Sequence, residues 1–258
     1  MAPYFRQIRI DVSSFKFCHC TLWKSDTSPA CRAVMMGLDA MNVTLTEVDV
    51  NMDKAEHQAP DLIAMNPRQT LPILKDGEFI LCDSHAINTY IASRYCDCEK
   101  LLPTNPAGRA IVDQLLHYDS GILYPHYRSC AYPILYENSR FVMHQQIKEV
   151  ENAYRELETM LKGRSWFSGA NMTLGDIAIM ATVSTLHVLI PVDKNKFPVL
   201  LSWMFRMSKE PFYTTGNLKG LNEFTKRIDT GNVLDSKENK RPRSSLTRRS
   251  TGGKLAET

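Results

Sequence analysis

The hydrophobic spacing of this chain changes character once, and that change limits what it can fold into. Up to about residue 97, short runs with the alternation of strands are separated by helical stretches; beyond about residue 108 only helical spacing occurs. Val43 to Val50 sets Val, Leu and Val among Thr and Glu, the two-residue period of a strand. Ahead of it, Cys18 to Trp23 reads as a short strand. Ser28 to Met41 reads as a helix, with Ser28 at the cap and Pro29 in the first turn. A helix over Glu56 to Met65 follows, then strands at Leu71 to Leu74 and Phe79 to Cys82 around the turn Asp76-Gly77. Asp83 or Ser84 caps a last helix ending near Tyr95, which completes the order β-α-β-α-β-β-α.

The expected division is an N-terminal extension (1–17), an α/β unit (18–97), a polar linker (98–107), an all-α unit (108–228) and a tail (229–258). In the helical unit Ile147, Val150, Tyr154, Leu157 and Leu161 recur at three- and four-residue steps, one apolar helix face. Thr173-Leu174-Gly175-Asp176 sets a hydroxyl and a carboxylate three residues apart before the apolar run from Ile177, the pattern of a capping box. Two final helices are expected at Pro198 to Met207 and Leu218 to Arg227, and the polar tail beyond Asp229 is expected to be disordered.

Charge excludes some functions. Residues 229–258 hold seven Lys and Arg against four Asp and Glu, so the net charge of +3 sits wholly in the tail and the body is balanced. A balanced body lacks the basic face that nucleic acid requires. Within the tail, Lys240-Arg241-Pro242-Arg243-Ser244 and Arg248-Arg249-Ser250 are compatible with kinase sites, a basic targeting run or a merely solvated extension, and removing 229–258 is expected to spare activity. The longest apolar stretch, Ile177 to Ile190, falls short of the roughly 18 to 20 residues of a membrane span, and the first 17 residues lack a secretory signal's apolar stretch. Seven cysteines, an odd number, argue against a full disulfide framework and for a reducing, cytoplasmic setting. Cys18-His19-Cys20 and Cys96/Cys98 lack a second ligand pair at zinc spacing, so no metal is expected.

Four segments carry a resemblance: Ser28-Pro29-Ala30-Cys31-Arg32-Ala33-Val34, Asn66-Pro67-Arg68-Gln69-Thr70-Leu71-Pro72, Asp83-Ser84-His85-Ala86-Ile87 and Thr173-Leu174-Gly175-Asp176. In this order and on these elements the chain, over roughly Cys18 to Arg227, resembles the delta/epsilon classes of cytosolic glutathione transferase. The resemblance implies a thioredoxin-like domain joined to a helical bundle, a homodimer, glutathione as co-substrate and a small hydrophobic electrophile as the second substrate. It implies detoxification by conjugation and makes Ser28 the catalytic residue. A cysteine-like thiol with a pKa of about 8.5 is only a few per cent thiolate at neutral pH, and the thiolate is the nucleophile. A hydroxyl at a helix N-terminus, donating to the sulfur, lowers that pKa. Ser28 as a plain N-cap, worth about 1 kcal/mol, is compatible with the same position.

The resemblance also implies a cis Pro72, so that Leu71 offers its backbone to the glutathione cysteine. Ser84 and the helix N–H groups would take the γ-glutamyl carboxylate, and Asp83 the ammonium. His57 and Arg68 are candidates for the glycine carboxylate. Gln69 and His85 stand where the family usually has His and Arg. Gln69 still donates a hydrogen bond but carries no charge, so weaker glutathione affinity is expected. Tyr124, Tyr127 and Tyr132, on a helix spanning Tyr118 to Tyr132 and kinked at Pro125, and Phe212 are expected around the electrophile.

Two alternatives stay open. Ser28-x-x-Cys31 resembles a glutaredoxin motif, but with no cysteine at position 28 there is no attacking thiol. A transferase-like carrier of hydrophobic ligands, without turnover, is the other.

Overall fold

In the computed structural model residues 16–96 and 98–238 are described, with backbone alone for 16–18 and 230–238. The extension up to residue 15 and the basic tail segments from 240 onward lie outside the described residues.

Strand β1 (Lys16–Lys24) runs parallel to β2 (Val43–Asp49), because helix α1 (Pro29–Ala40) carries the chain back along the sheet between them. On its other side β1 pairs antiparallel with β3 (Ile73–Asp76), which turns back into β4 (Phe79–Cys82), so the sheet order is β2-β1-β3-β4. Strand β3 begins at Ile73 rather than the expected Leu71. Pro72 has no N–H to give a ladder, so pairing starts after it, two residues later than expected; the Leu71-Pro72 peptide is cis.

The helix expected over Glu56 to Met65 is two pieces, a 3₁₀ turn at Glu56–Gln58 and α2 (Pro60–Met65). Ala59 precedes a proline and is pushed to ψ 140°, which interrupts the helix there. Helix α3 (Ser84–Tyr95) starts from Asp83 as its cap.

The helical unit follows as α4 (Pro106–Tyr118), α5 (Tyr124–Tyr136), α6 (His144–Met160), α7 (Leu174–Leu189), α8 (Pro198–Met207), the short α9 (Pro211–Tyr213) and α10 (Lys219–Glu238). The single helix expected from Tyr118 to Tyr132 is broken: a π-type turn, Asp119–Leu123, separates α4 from α5. Pro125 sits just past it and has no N–H for the carbonyl four residues back, a common cause of such a break. Helix α10 continues through Asp229 to Glu238, so the expected disorder from 229 onward is corrected for these residues.

Every residue of α7 from Leu174 to Leu186 is buried, which makes it the central helix, and α6 turns Val150, Tyr154 and Leu157 toward the core. The main core runs through both units, joining Leu22, Val34 and Met36 of the sheet side to Ile177, Trp203 and Phe224 of the helical side. At this seam the backbones touch. A Cβ at Gly216 would lie 2.5 Å from the Met36 nitrogen, and one at Gly220 1.9 Å from the Asp26 carbonyl oxygen. No larger residue fits either place.

The cysteines depart from expectation. Cys96 and Cys98, one residue apart in the extended chain after α3, are disulfide-bonded, and Cys20 is disulfide-bonded too. An odd total leaves at least one thiol over but does not forbid local pairs, so parity does not carry the compartment argument. Cys31, Cys82 and Cys130 are free.

Candidate active site

A cleft of about 440 Å³ opens between the units. The sheet side supplies Ser28 at the end of the β1–α1 turn, His57 from the 3₁₀ turn, and Gln69 and Leu71 from the loop before β3. The opposite wall is aromatic: Tyr124, Tyr127, Tyr132 and Tyr136 of α5 and Phe224 of α10.

Ser28 enters the cleft through the geometry of its cap. Its N–H donates to the Ser25 carbonyl at 3.0 Å, and its extended backbone (φ −77°, ψ 124°) opens α1. The Oγ accepts from the Cys31 N–H at 3.4 Å. That contact occupies a lone pair, and the hydroxyl proton can turn either to the Cys31 thiol, which Ser28 also reaches, or to the cleft. Cys31 itself is fully buried, and burial pushes its thiol up to about 11, which makes it inert as a resolving cysteine.

The loop from 66 to 72 is shaped by the buried Asn66. Its Nδ2 donates to the Thr70 carbonyl at 2.7 Å and to Thr70 Oγ1 at 3.0 Å, while its Oδ1 accepts from the Arg68 N–H at 3.2 Å. The loop carries Gln69 at φ 54° and presents Leu71 beside the cis bond, with Gln69 exposed on the cleft.

A second, smaller recess adjoins, lined by Arg68, Pro72, Asp83, Ser84, His85 and Tyr124 among others. Asp83, at φ 103°, caps α3 by accepting from the N–H groups of His85 (2.9 Å) and Ala86 (3.2 Å). His85 Nε2 meets Asp119 Oδ2 at 2.9 Å, tying α3 to the π-type turn. Asp119 is buried, and its Oδ1 makes no hydrogen bond among the described residues.

Burial alone would lower the His85 pKa, but the hydrogen bond and charge of Asp119, with Asp83 nearby, outweigh it and raise the pKa above the ordinary 6.5. A raised folded-state value means that this contact stabilises most fully below about 6.5 and fades as pH climbs through the folded value. Thermal melts should therefore show wild type exceeding His85→Gln at about pH 6, with the excess shrinking toward about pH 9. A pH-independent difference would mean that the imidazole is neutral throughout.

Tyr124, Tyr127 and Tyr132 all line the cleft, and Tyr124 and Tyr132 reach the smaller recess as well. Phe212 does not: it is buried on α9, in the core, and is not among the cleft's lining residues. Phe224, one element later, stands in the wall instead. Sequence reasoning also missed Arg128, Tyr136 and Arg227. Two of these, Arg128 and Tyr136, were within reach, because Tyr124, Arg128, Tyr132 and Tyr136 recur every four residues and so share one face of α5. Arg128 lies over the Tyr132 ring, 4.7 Å from its centroid. Arg227, in the cleft wall, pairs with Asp53.

Among the described residues no group of three or more His, Cys, Asp or Glu is placed to hold a metal ion, and no helix is long and apolar enough to cross a membrane.

A four-stranded thioredoxin-like sheet, a cis-proline loop beside a capped helix start and an aromatic wall from a helical bundle define the class of the glutathione transferase fold. The comparisons agree: residues 19–93 match the glutathione S-transferase N-terminal domain and 113–211 the C-terminal domain. The chain belongs to the glutathione S-transferase family and is an enzyme of that family. It is 38% identical over 202 residues to Glutathione S-transferase 1 of Manduca sexta, across 78% of this chain and 93% of the relative. An epsilon-class glutathione S-transferase from the housefly, Musca domestica, superimposes with a TM-score of 0.80 at 29% identity, covering 83% of this chain and 98% of that one. A glutathione transferase homolog from Drosophila mojavensis with bound glutathione gives a TM-score of 0.80 at 30% identity, covering 83% and 97%.

Proposed function

We propose that this enzyme joins the glutathione thiolate to small hydrophobic electrophiles, with Ser28 donating a hydrogen bond to the sulfur. The observation that carries the reading is the place of the Ser28 hydroxyl, on the cleft at the start of α1, where its proton can turn to a bound sulfur while its oxygen accepts from the Cys31 N–H. Leu71, beside the cis Pro72, offers backbone groups for strand-like pairing with the tripeptide. Ser84 and the start of α3 supply N–H groups for the γ-glutamyl carboxylate, with Asp83 for its ammonium. At the other end His57 Nδ1 is buried with no hydrogen-bond partner among the described residues and, in the tautomer protonated there, is a donor suited to the glycine carboxylate; Gln69 lines the same cleft and Arg68 the adjoining recess.

In the reaction the sulfur's electron pair forms a carbon–sulfur bond. The electrophile releases a leaving anion or, when an activated double bond is attacked, takes up a proton. The tyrosines of α5 and Phe224 supply an apolar wall against which such a molecule loses little solvation. The family's dimeric assembly and cytoplasmic setting are part of this reading.

Thiolate absorbance of enzyme-bound glutathione against pH tests it. A thiol pKa clearly below the ordinary value of about 8.5 is the expected result. An unshifted thiol on a protein that still binds glutathione or hydrophobic molecules would favour the carrier. The same titration reads affinity. With Gln69 in place of a cation, the dissociation constant is expected above the low micromolar range.

A further inference from the structure

Arg32 follows Ser28 by one helical turn, its N–H donating to the Ser28 carbonyl at 3.0 Å, and its side chain is fully buried. The guanidinium has only neutral partners: Nη1 donates to Asn217 Oδ1 and Nη2 to Thr185 Oγ1, both at 2.5 Å, and Nε donates to nothing. Among the described residues no carboxylate lies within ion-pair distance of it. The acid whose charge bears on it, Asp26, is already held by Lys24 at 2.6 Å and Lys219 at 3.0 Å. The other titratable groups around it, Tyr127, Tyr213 and Cys31, are all pushed upward by burial and are uncharged at neutral pH.

Burial brings Arg32 down to about 10, which leaves it protonated at neutral pH. An unpaired buried cation is costly to keep, because removal from water is not offset by a counter-charge. Its field is correspondingly little screened. It reaches the cleft: Tyr127, which lines that space, lies within the field of Arg32.

We propose that Arg32 is an electrostatic residue of the thiolate site, its unpaired charge adding to the α1 N-terminus in stabilising the anion that Ser28 holds. The inference rests on the thiolate reading of Ser28. In that reading the glutathione sulfur is the missing counter-charge: a negative group that arrives with the substrate and is drawn to a cation already in place.

The test neutralises the charge without removing it. Asn217→Asp puts a carboxylate where Nη1 already donates, at nearly unchanged volume, whereas Asn217→Ala deletes the hydrogen bond without adding charge. At a fixed pH below the thiol pKa, the thiolate fraction of bound glutathione should fall about tenfold in Asn217→Asp and far less in Asn217→Ala. A purely structural Arg32 would make the two variants move together. Arg32→Lys and Arg32→Gln give the same contrast from the other side, with Lys keeping the thiolate and Gln losing it. A depressed wild-type thiol that none of the charge changes moves would overturn the role of Arg32 and leave that of Ser28 standing. A wild-type thiol with no depression would overturn the thiolate reading itself.

Discussion

Ser28→Ala should lower kcat/KM for conjugation about 10- to 100-fold near neutral pH, the loss of a hydrogen bond to a charged group worth about 1.5–3 kcal/mol. The deficit should shrink as pH rises past the thiol's own value of about 8.5, where the sulfur ionises without help. Because the same oxygen caps α1, the variant should also lose about 1 kcal/mol of stability, so turnover must be compared on folded protein. Ser28→Asp separates the two roles. Aspartate caps a helix as well as serine does, so stability should hold, but its negative charge beside the sulfur should depress activity below that of the alanine variant. Full activity in Ser28→Ala at pH 7 would assign the hydroxyl to the cap alone.

The largest effect on stability is expected at Asp176. Its carboxylate is wholly buried and accepts four hydrogen bonds: from the Phe167 N–H (3.1 Å) and Trp203 Nε1 (3.1 Å) on one oxygen, and from the Thr173 N–H (3.0 Å) and Oγ1 (3.2 Å) on the other. Asp176→Ala leaves all four donors without their acceptor, three of them N–H groups, at the start of the central helix. Removing one partner of a buried polar network costs about 3–5 kcal/mol, far more than the capping interaction alone. For a chain of this size that corresponds to a fall in Tm of about 10 °C. Thermal unfolding followed by circular dichroism measures it. A change below about 1 kcal/mol would mean that the donors find other acceptors. Turnover per folded molecule should be nearly unaffected, since Asp176 lines neither the cleft nor the recess.

What could be read from the sequence follows from what is local. Strand alternation, the Ser28-Pro29 start, the turn before Phe79 and the capping box at Thr173 are written in neighbouring residues, and the elements fall where those signals put them. The errors come where a single residue changes the backbone: Ala59 before Pro60 splits a helix, Pro72 delays a strand, and Pro125 adjoins a π-type turn. The site shows the same division. Ser28, Leu71, Asp83 and Ser84 sit in short motifs, and their placement around the cleft and the recess was legible. The His85–Asp119 pair joins residues 34 apart on different elements, and no periodicity encodes it. Arg32 lies inside the Ser28 to Val34 motif. Its meaning depends on burial among Asn217 and Thr185, which only the packing of α1 against the helical unit creates. Phe212 and Phe224 are alike in the sequence, and docking of the C-terminal elements decides which of them faces the cleft.

The seam at Gly216 and Gly220 bears on how such a chain can diversify. Main chain meets main chain there, so the two halves are fitted to each other at a tolerance finer than a methyl group. Exchanging whole halves between relatives would bring together surfaces never selected against one another, and such recombinants begin with a mismatched joint. Point changes at the exposed end of the α5 wall, at Tyr136, leave that backbone contact untouched. If the aromatic wall holds the electrophile as proposed, substitution along it changes substrate range at less cost to the joint than exchange of halves does.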